Sequence, residues 1–210
     1  TSTDMVLLYG GGHHRTPYTW DKERVSSYIR YVDTDNQSHW LFDSFLFLEI
    51  MDTGTGGANK MFAKGYNLES ANQADWTKLI DYYFQSETGI GALDASVKEA
   101  SAILGTPRQK RQIVISIPEP IVYQHPEQAS SSTKYWGKID NQTLDFSNSA
   151  DRIKACKWYI DQVRAKFNEK NYQHVELAGF YWLAEKATDT RDILNAVAIY
   201  LNKLKYSFNW

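Results

Sequence analysis

One cysteine, Cys156, stands in the whole chain, so no disulfide can form within it and packing alone must hold the fold. Cys156 lies in the amphipathic stretch ADRIKACKWYIDQVRAKF, where a small buried hydrophobe is expected rather than a nucleophile or metal ligand. Charge of one sign is lacking too: 23 Lys and Arg against 25 Asp and Glu leave a net charge of −2. With no block of like charges, the chain shows no footprint for nucleic acid or an anionic membrane. No apolar run reaches the ~18 to 20 residues of a membrane-spanning helix, and no charged-then-apolar leader opens the sequence. A chain that begins at Thr1 rather than Met reads as a processed or trimmed product, so that missing leader does not argue against export. The Gly-rich stretch TGTGG runs into Gly57-Ala58-Asn59 instead of Gly-Lys-Ser/Thr, which excludes a phosphate-binding loop. No G-x-S-x-G elbow occurs either, against a serine hydrolase of that type.

Aromatics are what the chain has in plenty: 7 Trp, 14 Tyr and 9 Phe. Rings with an apolar face and a polar edge suit concave sites for polar ligands as well as cores. At 210 residues the length predicts a single domain.

The hydrophobic pattern alternates between strand and helix. MVLLY (5–9) reads as a strand stopped by Gly10, and WDKERVSSYIRYV (20–32) as an amphipathic helix capped by Thr19 or Asp21. WLFDSFLFLEI (40–50) is a second strand, followed by a long loop (51–74) and helices over 75–85 and 93–105, the last stopped by Gly105 and Pro107. RQIVISIP (111–118) is a third strand, a polar segment (121–147) leads to a long helix (148–168), HVELAGFYWL (174–183) is a fourth strand and 190–205 a final helix. Strands apolar on both faces and separated by helices imply a parallel sheet covered by helices. Two architectures remain: an open doubly wound α/β sheet, or TIM-barrel-type (β/α) units of which about four of eight are present. The ending KYSFNW has the look of a fifth strand's opening. A partial barrel would expose the edges of its first and fourth strands, which predicts a homodimer or a missing C-terminal half.

In both architectures chemistry gathers where strands end and loops begin. Tyr9, His13 and His14 fall there, as do Glu49 with Asp52, Glu119, and Tyr181, Trp182 and Glu185. Glycoside hydrolysis needs such a cluster, because one carboxyl group protonates the leaving oxygen while a second acts as nucleophile or base. The two must differ in environment so that one keeps its proton. Glu185 has Tyr181 and Trp182 beside it as sugar-stacking surfaces, and Glu119 is fixed in extended backbone between Pro118 and Pro120. The sequence thus nominates Glu185 as acid/base, with Glu119 or Glu49 as its partner. The competing reading is a noncatalytic carbohydrate-binding or scaffold domain, which needs the aromatics but not the acids. Adjacent histidines on an extended chain point opposite ways and no partner stands at a ligand spacing, so no metal or other cofactor is expected. Asn36-Gln37-Ser38 and Asn141-Gln142-Thr143 match the N-glycosylation pattern, which has meaning only in a eukaryotic secretory host.

Four stretches, LLYGGGHHRTPYTWDKERVSSYIRYVD, HWLFDSFLFLEI, LDFSNSADRIKACKWYIDQV and ELAGFYWLAE, resemble the bacterial domain of unknown function 4855 family, mostly secreted proteins of gut Bacteroides and soil Gram-positives. The resemblance covers essentially the whole chain. It implies a glycosidase-like TIM barrel, carbohydrate as partner and an extracytoplasmic location, but no established activity. It also implies that relatives continue into a fifth strand, of which Trp210 is the first residue. Where relatives carry Pro-Tyr-Pro after the third strand, this chain has Pro118-Glu119-Pro120, which makes Glu185 the stronger candidate.

Overall fold

The computed structural model describes residues 4–10, 18–53 and 59–210. Its centre is a parallel sheet of five strands: β1 (Met5–Tyr9), β2 (Ser44–Leu48), β3 (Arg111–Ile117), β4 (Val175–Trp182) and β5 (Ser207–Asn209). Their spatial order follows the chain, each strand pairing with the one before it. That order never reverses, so the described sheet has no switch point of the doubly wound kind. The SFN stretch adds the fifth strand against β4, so the open edges are those of β1 and β5 rather than of the first and fourth strands. Among the described residues five α-helices intervene: α1 (Lys22–Ile29), α2 (Gln73–Tyr83), α3 (Gly89–Leu104), α4 (Ser149–Lys170) and α5 (Arg191–Lys203).

Local chemistry sets the helix ends. The Asp21 side chain accepts from Arg24 N at 2.9 Å and starts α1. Asn72 and Asp75 form a reciprocal capping box on α2. Gly105, at φ 78, ends α3 in a conformation other residues avoid. The helix expected over 20–32 stops at Ile29. Arg30 turns extended, and Arg30–Val32 pairs antiparallel with Ser38–Trp40. Asp33 closes that hairpin by accepting from Asp35 N (3.0 Å) and Gln37 N (2.8 Å), with Asn36 left-handed at φ 63. The second strand is correspondingly shorter than expected, because Trp40 belongs to the hairpin.

Alternate residues of the sheet face opposite layers. Phe47 meets Tyr83 of α2, with ring centroids 5.9 Å apart, and aligns with Ile115 and Phe180, all buried. The other face carries Tyr9, Leu48, Ser116, Tyr181 and Asn209 in register. On that face Leu7 is 39 % exposed at the β1 edge. The register of β4 shifts by one residue between Leu177 and Gly179. The segment before α4 is polar in sequence yet anchored in the core by Trp136, Leu144 and Phe146. Cys156 is fully buried, and burial pushes its thiol up to about 12, as suits an inert packing group.

Candidate functional site

At the carboxyl end of the sheet lies a cleft of about 410 Å³ into which Tyr9, Leu48 and Tyr181 project. Its far wall comes from the chain after β2. There Met51–Asp52, Lys60–Met61 and Glu69–Ser70 form a small three-stranded sheet. Between the last two of these strands the chain turns at Gly65 (φ 139) and delivers Lys64 and Tyr66 to the cleft. Three tyrosines therefore line one opening, with Glu185 and Lys186 at its rim. Tyr9 is fixed through its carbonyl, which accepts from the Trp20 indole N–H.

The three nominated glutamates sit in different surroundings. Glu185 is exposed and lines the tyrosine cleft. Trp182 does not accompany it: the ring is fully buried, edge-on to Phe208 at 6.1 Å, and offers no face to a ligand. Tyr181 does reach the cleft, and exposed Trp210 is tied beside Glu185 by its indole N–H donating to Ala184 O at 3.1 Å.

Glu119 is 5 % exposed and opens on a neighbouring cleft of about 250 Å³, shared with Tyr123, Pro126, Lys64 and Asp189. Lys64 N–H donates to its Oε2 at 2.6 Å, and Glu119 N–H donates to Phe62 O at 2.8 Å, so the glutamate is stitched to the loop after β2. Burial raises its pKa and the negative charge of Asp189 adds to this, while the Lys64 N–H and ammonium oppose it.

Glu49 is 3 % exposed and works on its own loop, its Oε1 accepting from Ile50 N (3.0 Å) and Met51 N (3.4 Å). Gly10 leaves room for this carboxyl group, since a Cβ there would lie 2.6 Å from Glu49 Oε2. Desolvation pushes the Glu49 pKa up to about 9. It lines neither of these clefts. His13 and His14 lie outside the described residues.

Sequence reasoning missed Lys64, Tyr66 and Asp189. Lys64 Nζ pairs with Asp189 Oδ2 at 3.0 Å, joining the loop after β2 to the turn after β4. Asp189 is held from behind. Arg152 of α4, almost fully buried, donates to its carbonyl at 3.3 Å and grips Asp192 with two bonds of 3.2 and 2.6 Å. The sequence showed only a long loop there, and nothing tied Lys64 to Asp189, 125 positions away.

Among the described residues no group of three or more His, Cys, Asp or Glu is placed to hold a metal ion. No helix is long and apolar enough to cross a membrane among them. Compared with known families, residues 4–210 match the model of a domain of unknown function (DUF4855). Neither a curated protein nor a solved structure matches the chain.

Proposed function

Since the chain belongs to the DUF4855 family, whose membership carries no activity, we propose from the clefts that it is a glycoside hydrolase-like protein and, on the family resemblance alone, that it works outside the cytoplasm. Its sheet is read as part of a (β/α) barrel: strands are added in one direction, and right-handed crossovers then place every helix on one face. Further (β/α) units or a second copy of the chain would complete it.

The observation that carries the reading is a pair of carboxyl groups after adjacent strands in opposite environments. Glu119 is buried with a raised pKa, and Glu185 stands in solvent at the rim of a tyrosine-lined cleft. Such a division lets one group hold a proton for the leaving oxygen while the other acts as base or nucleophile. Glu119 accordingly takes the acid role and Glu185 that of base or nucleophile, the reverse of the assignment that aromatic company suggested in the sequence. Lys64 couples the two sites, as its main chain donates to Glu119 and its side chain lines both clefts. Tyr9, Tyr66 and Tyr181 supply ring faces for sugar.

The test is a panel of polysaccharides offered to the protein and read by reducing-end release. Glu119→Gln and Glu185→Gln should each lower the rate by about 100-fold or more. Full activity in both variants would refute the assignment. Sugar binding lost in Tyr181→Ala, with no turnover by the unmodified protein, would instead favour a noncatalytic carbohydrate-binding domain.

A further inference from the structure

A third cleft, of about 370 Å³, lies beyond Glu119 and is lined by Asn59, Asn67, Glu69, His125, Glu127 and Gln128, with Leu68 and Pro126 its apolar surfaces. It adjoins the others through shared walls: Lys64 lines the tyrosine and Glu119 clefts, and Pro126 lines the Glu119 cleft and this one. The walls are locked together by hydrogen bonds, with Ser70 N donating to Gln124 O and Ser70 Oγ to Tyr123 O, both at 2.8 Å. A carboxylate and an imidazole stand together in its wall. Glu69 pairs with Lys60 and lies 3.5 Å from His125 Nε2.

The lining narrows the ligand chemistry. Two carboxylates in the wall repel an anion, and a surface so rich in amides and charges rewards no apolar ligand. Planar amide, carboxylate and imidazole groups that donate and accept side by side match the paired hydroxyls of a sugar ring. We propose that the three clefts form one trough that takes an extended, neutral oligosaccharide, with the Glu69–His125 cleft as a remote subsite. The proposal rests on the carbohydrate reading and adds a chain-length preference to it.

The experiment uses the full chain and a double variant, Asn67→Ala with Gln128→Ala, both positions being exposed and cheap to change. Isothermal titration calorimetry is run with β-1,4-linked gluco-, xylo-, manno- and N-acetylgluco-oligosaccharides from disaccharide to hexasaccharide. Affinity of the unmodified protein should climb with chain length for at least one ladder. The double variant should keep its disaccharide affinity and lose about tenfold on the hexasaccharide. Affinity that is flat with length, a loss equal at every length, or no binding to any ladder would overturn the trough. Reducing ends are counted in the same samples. Length-dependent binding without turnover would sink the hydrolase reading and leave the trough standing; turnover with flat affinity would do the reverse.

Discussion

The tryptophans of the helical layer and the tyrosines of the cleft are the same kind of residue put to opposite uses. Trp76 and Trp136 are at most 1 % exposed and meet edge to face at 5.2 Å, with Tyr159 and Phe146 completing the cluster. Tyr9, Tyr66 and Tyr181 are half-buried and line an opening. A high aromatic content is therefore not in itself a sign of sugar binding. Trp76, Trp136 and Trp158 join helices to each other and to a connecting segment, while phenol rings at strand ends and on the loop after β2 face the cleft.

This division can be broken by substitution. Trp76→Ala removes a fully buried ring and should cost about 3–5 kcal/mol, measured by denaturant unfolding. Tyr181→Ala should cost far less stability but weaken oligosaccharide binding about tenfold, or about 1.4 kcal/mol. Equal destabilisation by both would erase the distinction. Trp182→Phe should leave that affinity within about a factor of two, since the ring packs on Phe208 and not on the ligand.

The carboxyl groups extend the contrast. Burial, with Asp52 adding to it, places the Glu49 pKa near 9, above its ordinary 4.5, so the folded state retains a proton that the unfolded chain releases. The stability this group contributes is then complete below pH 4.5 and is lost as pH rises through the folded value of about 9. The melting temperature should fall over that interval, and Glu49→Gln should flatten the fall. A profile unaltered by Glu49→Gln would show that its burial is not felt. A small loss of stability is expected at the hairpin, where Asp33→Ala removes two turn bonds and the contact with His39, read as a slightly lower melting temperature.

Strand and helix order was legible because each apolar run is long enough to be buried and each is bounded by Gly, Pro or polar residues. The overrun of α1 into Arg30–Val32 was not, because Tyr31 and Val32 continue a helical spacing by coincidence, while the Asp33 turn that reverses the chain acts through side-chain bonds invisible to periodicity. At the site, Glu119 and Glu185 were found because functional side chains gather at strand ends, although one proved buried and the other exposed. Trp182 was misplaced because adjacency to Glu185 says nothing of which layer a ring enters. Lys64 and Asp189 come together only through the folding back of two loops, a long-range event that no local pattern records.

The single added residue near Ala178 sets the phase of everything after it. Before it, Val175 and Leu177 align with Arg111 and Ile113; after it, Phe180 and Trp182 align with Ile115 and Ile117. Without that extra step the odd-numbered residues would keep the core side throughout, and Tyr181 and Trp182 would trade places. Gly179 secures the arrangement, since a Cβ there would lie 1.8 Å from Ser207 Oγ in the neighbouring strand. The ring presented to the cleft thus depends on one surplus amino acid being held out of the ladder: pairing Ala178 regularly would turn Trp182 to the cleft, whereas deleting it would close the bulge with Leu177 opposite Ile113 and Gly179 opposite Val114 and leave Tyr181 where it is.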